Sequence, residues 1–293
     1  MNILITGGSG LVGRHIYQAL QQQAFMDTLV ATHFTYALPE TVYLDLLQPL
    51  PDWVTQVYWD VIIHAGAMTQ VDACESREAE SYAATVQTTV SLLQLAANSG
   101  ALLVYLSTDY VFDGQAGPYT EEAVPHPLNV YGRHKLTAEQ LVCAYEHHLV
   151  LRITNVYGTE ARNKNFIARL VQQLEKEEQV EVIAPVDQYA TPVNAADIAR
   201  AVVLLIRDER RGVYHIAGTD YLSRAQLLQR VARYYPGRIH IRYVPTAALA
   251  QPAQRPLRAG LLAAKFMAAY PEFVFSNVDD YLKTVLYVHA NTY

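Results

Sequence analysis

A tyrosine and a lysine stand four residues apart in the segment NVYGRHK at positions 129–135. If a helix begins here, side chains at i and i+4 lie on one face, so Tyr131 and Lys135 point the same way. A phenol can donate a proton, and a nearby ammonium favours the phenolate and lowers the pKa of the tyrosine. The pair is either a proton donor with its electrostatic support or a surface contact, and the spacing alone does not decide between them.

Three evenly spaced glycines occupy the segment ITGGSGLVGRHI at positions 5–16. Gly7, Gly10 and Gly13 lie between an apolar strand at 2–6 and a helical pattern at 11–23, where a tight turn lets the backbone approach a pyrophosphate at the positive end of a helix. The spacing G-x-x-G-x-x-G differs from the standard dinucleotide fingerprint. Its position predicts nucleotide binding, and the alternative is a glycine-rich turn without a ligand.

The end of the second strand bears on which dinucleotide is bound. An acidic residue there would bind the ribose 2′-hydroxyl of NAD, but the stretch reads Ala31-Thr32-His33-Phe34. The missing carboxylate slightly favours NADP(H) over NAD(H). His33 and Arg14 can reach a 2′-phosphate, although each taken alone is better explained as a surface side chain. Asp45 either holds the adenine ring or caps the segment that follows it.

The elements that must position these residues alternate between strand and helix. Apolar runs at 28–34, 60–66, 101–107 and 148–154 predict strands. The region 76–98 predicts a long amphipathic helix that ends at Gly100, and its apolar stripe is Tyr82, Val86, Val90, Leu93 and Ala97. Such alternation predicts an α/β fold, with a parallel sheet and helices on both faces.

Composition excludes several classes of function. The 293 residues carry a formal charge of −6, which argues against binding nucleic acid as a main task. No apolar run approaches the length of a membrane helix, and the N-terminus lacks the basic region of a signal peptide. The two cysteines, Cys74 and Cys143, fit neither a disulfide framework nor a zinc site. We therefore expect a cytoplasmic protein without membrane contact, and the scattered histidines predict no metal site.

Several motifs together resemble one family. They are TGGSGLVG (6–13), HAGAMTQVDACE (64–75), STDYVFDG (107–114) and YGRHK (131–135), followed by looser matches at 151–158, 187–199 and 254–261. The chain resembles the extended short-chain dehydrogenase/reductases, and within them the dTDP-4-dehydrorhamnose reductase family. The resemblance implies a Rossmann-type doubly wound sheet with a smaller C-terminal α+β lobe that binds the substrate.

The resemblance also implies roles for individual residues. Tyr131 is the general acid, Lys135 lowers its pKa and holds the nicotinamide ribose, and the Thr108 hydroxyl binds the carbonyl oxygen. Residues expected at the cofactor are Gly7, Gly10, Leu11, Val12, Gly13, Thr32, His33, Asp45, Leu46, Ala65, Gly66, Ala67 and Lys135. Residues expected at the substrate are Asp109, Tyr110, Asn155 and Arg255. Asp109 and Tyr110 can equally anchor their loop, and Arg255 can equally be a surface arginine. Asp72 and Glu75 are expected only to favour a helix start.

The implied organisation is a dinucleotide-binding domain over 1–160, joined by part of 187–220, and a lobe over 161–293 that is mainly substrate-binding. The implied activity is NAD(P)H-dependent reduction of a 4-keto-6-deoxy nucleotide sugar, most simply dTDP-4-dehydrorhamnose to dTDP-rhamnose. Two alternatives stay open: a non-catalytic dinucleotide-binding regulatory subunit, and a nucleotide-sugar epimerase or dehydratase of the same superfamily. The expected partner is the nucleotide sugar, and a homodimer is left open as the assembly.

Overall fold

The computed structural model describes the backbone of residues 1–290 and the side chains of residues 1–285. The strands are β1 Asn2–Thr6, β2 Thr28–His33, β3 Thr41–Tyr43, β4 Val61–His64, β5 Leu102–Thr108, β6 His148–Ile153, β7 Val180–Pro185, β8 Tyr189–Ala190, β9 Gly212–Ile216, β10 Leu222–Ser223 and β11 Ile239–Val244. The α-helices are α1 Leu11–Gln21, α2 Asp52–Thr55, α3 Val71–Ser76, α4 Glu78–Tyr82, α5 Thr88–Ser99, α6 Val130–Cys143, α7 Phe166–Lys176, α8 Ala195–Arg207, α9 Arg224–Tyr234, α10 Ala264–Ala269 and α11 Val278–Ala290.

A seven-stranded sheet in the order β3-β2-β1-β4-β5-β6-β9 forms the centre of the fold. Each pair of neighbouring strands in it is parallel. Its central strands are buried on both faces, as apolar runs without polar alternation predict. The predicted Rossmann-type α/β fold is confirmed.

Helices cover the two faces of this sheet and create two cores. On one face, α1 and α8 pack beside each other and bury Ile16, Leu20 and Ile198 against the strands. On the other face, α5 and α6 contribute side chains such as Leu92 and Val142. These layers hold the ends of β1, β4 and β5 rigidly at one edge of the sheet, where the sequence places the predicted site.

The region predicted as one helix over 76–98 differs from expectation. The chain forms α3, α4, a π-helical turn at Ala83–Gln87 and then α5, which ends at Gly100 in the left-handed conformation as predicted. The predicted apolar stripe is right at Val86, which is buried, and Leu93 is partly buried against the core. It is wrong at Tyr82, Val90 and Ala97, which are exposed, because the buried face of α5 includes Thr89, Leu92 and Ala96. The buried face carries hydroxyls such as that of Thr89, which donates to the Thr85 carbonyl at 2.6 Å. Hydrophobic periodicity does not register such side chains as core.

The smaller lobe is formed by residues that follow β6 in the chain. It contains the parallel pair β7–β11, the antiparallel pair β8–β10 and a core between α7, α9 and α11. Between these segments α8 packs on α1, and β9 pairs with β6 in the large sheet. The domain limits stated above stay a prediction. Within residues 1–290, no helix combines the length and apolar character needed to cross a membrane.

Candidate active site

The predicted site residues gather at the carboxyl edge of the large sheet, where open α/β sheets bind ligands. The glycine turn follows β1, the stretch Ala65-Gly66-Ala67 follows β4, and Thr108 ends β5. Because β1, β4 and β5 are adjacent, these three segments lie side by side.

The glycine turn packs closely against the end of β4. Gly7 has a φ of +73°, and a Cβ on it would lie 2.6 Å from the amide nitrogen of Gly66. A Cβ on Gly13 would overlap the Gly7 carbonyl oxygen. The turn therefore needs glycine to bring its backbone to the start of α1, where Leu11 and Val12 form the first turn. Open backbone at the positive end of a helix fits the pyrophosphate of a dinucleotide.

Residues at the adenosine end have partners within the protein. Thr32 is buried, and its carbonyl accepts a hydrogen bond from the Gly8 amide at 2.8 Å. The Nδ1 atom of His33 lies 2.8 Å from the Thr41 hydroxyl. These contacts fix the backbone after β2 beside the glycine turn.

Asp45 and Leu46 serve the loop after β3. The Asp45 carboxylate accepts a hydrogen bond from the Leu47 amide at 2.9 Å, as a capping residue does. Leu46 is buried in the core, and its carbonyl accepts from the Ser91 hydroxyl at 2.8 Å. The structure therefore gives both residues a local structural task, and contact with adenine stays a prediction.

Tyr131 and Lys135 in α6 lie at the same edge of the sheet as Thr108 at the end of β5. Asn129 caps α6 by accepting from the Gly132 amide at 2.8 Å, which places Tyr131 in the first turn. The Thr108 hydroxyl is near enough to the Tyr131 phenol to lower its pKa, and it donates a hydrogen bond to the Asp109 carboxylate at 3.4 Å. The Tyr110 ring packs edge-on against Tyr131, with the centroids 5.6 Å apart. The Thr108 and Tyr131 hydroxyls therefore lie near each other at the end of β5.

The pKa of Tyr131 moves opposite to the sequence argument. Burial raises the pKa, the Thr108 hydrogen bond lowers it in part, and the charge of Asp109 raises it further. The lysine does not contact the phenol, because its Nζ donates to the Leu106 carbonyl at 2.5 Å and lies 4.1 Å from the Tyr105 ring centroid. The prediction that Lys135 lowers the tyrosine pKa is therefore wrong for this arrangement. The consequence is a phenol that keeps its proton at neutral pH, as an acid must.

Lys135 is among the most deeply buried cations of the site. Burial lowers its pKa to about 7, and the carboxylate of Glu139, one turn along α6, works in the opposite direction. An amine with this pKa is partly neutral at physiological pH. Its charge is therefore sensitive to any anion brought near it.

The predicted substrate residues fall into two groups. Asp109 is buried and accepts from the Thr154 hydroxyl at 2.6 Å and the Gly260 amide at 3.3 Å, so it anchors its loop. Burial raises the pKa of Asp109 to about 6. Tyr110 is half-buried beside Tyr131, whereas Asn155 is exposed with a left-handed φ of 38°. Contact of these residues with a substrate stays a prediction.

Arg255 lies inside the site instead of on the surface. Its Nη2 atom donates to the Asp72 carboxylate at 2.8 Å, while its Nη1 atom is buried without a hydrogen-bond partner among the described residues. Asp72 also accepts from the Ala253 amide at 3.1 Å. Asp72 lies in the first turn of α3 as expected, and its carboxylate also joins the segment 253–255 to α3.

The comparisons with known proteins agree with this geometry. The RmlD substrate binding domain family matches residues 1–286. The chain belongs to this family. The predicted resemblance to the dTDP-4-dehydrorhamnose reductases is thereby confirmed.

Individual relatives show how far the likeness extends. A dTDP-4-dehydrorhamnose reductase of Sinorhizobium fredii is 32% identical over 89% of this chain and 88% of its own length. The methionine adenosyltransferase 2 subunit beta of Xenopus laevis is 31% identical over 76% of this chain and 69% of its own length. A crystal structure of a dTDP-4-dehydrorhamnose reductase from Clostridium acetobutylicum superposes with a TM-score of 0.85, at 25% identity, over 98% of this chain and 100% of that one.

Sequence reasoning missed a buried polar cluster under the catalytic edge. The guanidinium of Arg152 on β6 contacts the Glu139 carboxylate at 2.5 Å, and both side chains are about 5% exposed or less. The Ser107 hydroxyl donates to Glu139 at 2.6 Å, and Arg152 lies 3.3 Å from the Nε2 atom of His215. Burial lowers the pKa of His215 to about 3, so this ring is neutral. One signal was available, because Glu139 stands four residues after Lys135 and therefore shares its helix face.

A second missed residue is Arg224, the first residue of α9. Its guanidinium lies 4.5 Å from the ring centroid of Phe166, and burial lowers its pKa. Among the described residues it has no carboxylate within 4.0 Å. Its charge and that of Arg255 both act on Tyr110, so the lobe presents two cations to the catalytic edge. In the described part of the chain, no group of three or more His, Cys, Asp or Glu residues could hold a metal ion.

Proposed function

We propose that the protein reduces the C4 ketone of a 4-keto-6-deoxy nucleotide sugar, most simply dTDP-4-dehydrorhamnose to dTDP-rhamnose. The observation that carries the proposal is that the hydroxyls of Thr108, at the end of β5, and Tyr131, in the first turn of α6, lie near each other at the carboxyl edge of the sheet, with the buried Lys135 one helical turn further along α6. Family membership and the reductase relatives support the same activity.

A nicotinamide dinucleotide bound along the glycine turn supplies the hydride for the ketone carbon. The protein supplies the proton, because the buried Tyr131 phenol is protonated at neutral pH and can transfer its proton to the developing alkoxide. Thr108 donates a hydrogen bond to the same oxygen and fixes the ketone in line with the phenol. Lys135, buried one turn further along α6, holds the nicotinamide ribose.

The substrate's nucleotide diphosphate binds on the lobe side. Arg255 offers the unpartnered Nη1 atom, and Arg224 offers a cation without a carboxylate partner among the described residues. Arg255 keeps one buried nitrogen free of the Asp72 carboxylate, and Arg224 carries a charge that no described carboxylate neutralises within 4.0 Å, so these two side chains suit an anionic ligand. All the side chains named here belong to one chain, so this chemistry does not need a homodimer.

Turnover with defined substrates tests the activity directly. The purified protein is mixed with dTDP-, GDP- or UDP-linked 4-keto-6-deoxy sugars and NADPH or NADH, and absorbance is followed at 340 nm. We expect oxidation of the nicotinamide with at least the dTDP sugar, and loss of that signal in Tyr131→Phe. Absence of turnover with every sugar, by a protein that binds the dinucleotide, would contradict the proposal.

A second candidate is a dinucleotide-binding regulatory subunit. The similarity to methionine adenosyltransferase 2 subunit beta favours it, although that match covers less of this chain than the reductase match does. The same assay separates the two functions, because a regulatory subunit would bind the dinucleotide without turnover. It would instead change the activity of an added methionine adenosyltransferase.

A further inference from the structure

The cations that the sequence offers for a 2′-phosphate are already engaged. The Nε atom of Arg14 donates to the Glu40 carboxylate at 3.1 Å, and this carboxylate would repel a phosphate placed beside it. The Nδ1 atom of His33 is occupied by the Thr41 hydroxyl at 2.8 Å. With one nitrogen of each side chain engaged and the Glu40 carboxylate beside Arg14, these contacts favour selection of NADP by cations from another part of the chain.

Such cations come from the segment that follows β6. This segment passes over the first turn of α1, where a Cβ on Gly158 would lie 3.5 Å from a Leu11 methyl carbon. It then reaches the loop after β2 and forms with it an open, shallow cavity of about 400 Å³. The cavity is lined by Thr35, Tyr36, Ala161, Arg162 and Lys164.

The cavity is positive and has no acidic side chain in its wall. The Arg162 guanidinium lies 5.3 Å from the centroid of the Tyr36 ring, which holds the two loops together by a cation–π contact. Among the described residues, neither Arg162 nor Lys164 has a carboxylate within 4.0 Å. Glu160, the acid of the same segment, is turned to Asn165, whose side-chain amide donates to it at 2.9 Å.

We propose that Arg162 and Lys164 bind the adenosine 2′-phosphate and thereby select NADP(H) over NAD(H). The inference rests on the proposed use of a nicotinamide dinucleotide. The adenosine ribose of a dinucleotide lies beyond the end of β2, where Thr35 and Tyr36 form the cavity wall. The pyrophosphate lies instead over the glycine turn at the start of α1. A planar guanidinium and a compact ammonium together match a doubly charged monoester phosphate, and the Thr35 hydroxyl is placed to add a hydrogen bond.

Equilibrium binding tests the inference without requiring turnover. Dissociation constants are measured by fluorescence titration for NADPH and NADH, and by calorimetry for 2′,5′-ADP and 5′-AMP. The variants are Arg162→Ala, Lys164→Ala and the double variant, with Lys176→Ala as the control because Lys176 is an exposed lysine in the last turn of α7. A lost charge-assisted hydrogen bond weakens binding about tenfold or more. We therefore expect each single variant to weaken NADPH and 2′,5′-ADP by about that factor, and NADH and 5′-AMP by less than about twofold.

The outcomes separate this inference from the proposed function. Equal losses of affinity for NADPH and NADH would indicate that the two cations bind the pyrophosphate, and this would overturn the inference. Unchanged dissociation constants in the double variant would also overturn it. A wild-type preference for NADH would also overturn it. Selective loss of NADPH binding in a protein that reduces no keto sugar would support the inference while the proposed function fails. Unchanged thermal unfolding of each variant checks that its fold is intact.

Discussion

Two arginine–carboxylate pairs join distant segments at this site, and they differ in depth and completeness. Arg152 and Glu139 are both buried, and Ser107 and His215 complete their hydrogen bonding. In the pair of Arg255 and Asp72 the aspartate is 40% exposed, and one guanidinium nitrogen of Arg255 has no hydrogen-bond partner in the part of the chain that the structure describes.

The difference indicates two separate tasks. The buried pair ties β5, α6 and β6 together directly below Thr108 and Lys135, and its donors and acceptors are used within the protein. It therefore fixes the elements that carry Thr108 and Lys135. The partly exposed pair brings the segment 253–255 to α3 but leaves a cation available. It therefore suits binding of an anionic ligand that is exchanged in each catalytic cycle.

The largest expected effect concerns the acid that the buried pair holds in place. Tyr131→Phe removes the proton donor while keeping the ring that packs against Tyr110. General acid catalysis contributes about 10²–10⁴-fold, so kcat should fall in that range while the dissociation constant of the dinucleotide changes little. The matched control is Tyr82→Phe, because Tyr82 is exposed on α4. Full activity of Tyr131→Phe on a proven substrate would show that the phenol is only a packing feature.

The buried pair should dominate stability. Arg152→Met leaves Glu139 buried without its counter-ion, and loss of one partner of a buried pair costs about 3–5 kcal/mol. The free energy of unfolding, measured by urea denaturation, should fall by that amount. The double variant Arg152→Met/Glu139→Gln should recover part of the loss, because no unpaired charge remains. If Arg152→Met left the free energy of unfolding nearly unchanged, the Arg152–Glu139 pair would not be the pair that stabilises the fold.

The partly exposed pair should show the reverse behaviour. Arg255→Met is expected to cost less than about 1 kcal/mol of stability, because Asp72 can be solvated. The same change should weaken binding of the nucleotide diphosphate about tenfold or more, since a charge-assisted hydrogen bond is lost. Titration with dTDP measures this, and Arg258→Met provides a control on a neighbouring arginine. If Arg255→Met lowered the free energy of unfolding but left the affinity for dTDP unchanged, the Arg255–Asp72 pair would stabilise the fold instead of binding the ligand.

Much of this site follows from local pattern and one topological rule. The glycine turn, the strand ends and the i, i+4 spacing each have a short-range signature, and parallel strands bring their carboxyl ends to one edge. For that reason the meeting of Thr108, Tyr131 and Lys135 could be predicted.

Contacts between distant segments could not be predicted in the same way. Arg255 and Asp72 are separated by 183 positions, and Arg162 meets Tyr36 only because one loop crosses α1. Neither pairing has a local signature. The direction of the Tyr131 pKa shift could not be predicted either, because it depends on burial by neighbouring segments more than on the lysine one turn away.

The smallest expected effect comes from Asp109, a second buried carboxylate at this site, which sharpens the comparison because among the described residues it has no arginine partner. Asp109 is held by a hydroxyl and an amide, and burial raises its pKa from 3.8 to about 6. A carboxyl with a raised pKa stabilises the fold fully below its unfolded pKa, and this contribution is lost as pH rises through the folded pKa. Raising the pH from 5 to 7 should therefore remove on the order of 1 kcal/mol that Asp109 contributes.

Asp109→Asn isolates this contribution, because the amide keeps the shape and an acceptor oxygen but does not titrate. The free energy of unfolding is measured by urea denaturation at pH 5, 6 and 7 for both proteins. The wild-type value minus the variant value should decrease toward pH 7, where the wild-type carboxyl must be charged in a buried position. A difference that stays constant, or grows with pH, would show that the hydroxyl and amide donors solvate the charge as well as water does. Asp109 would then resemble the Arg152–Glu139 pair, and a buried carboxylate in this site would not need an arginine.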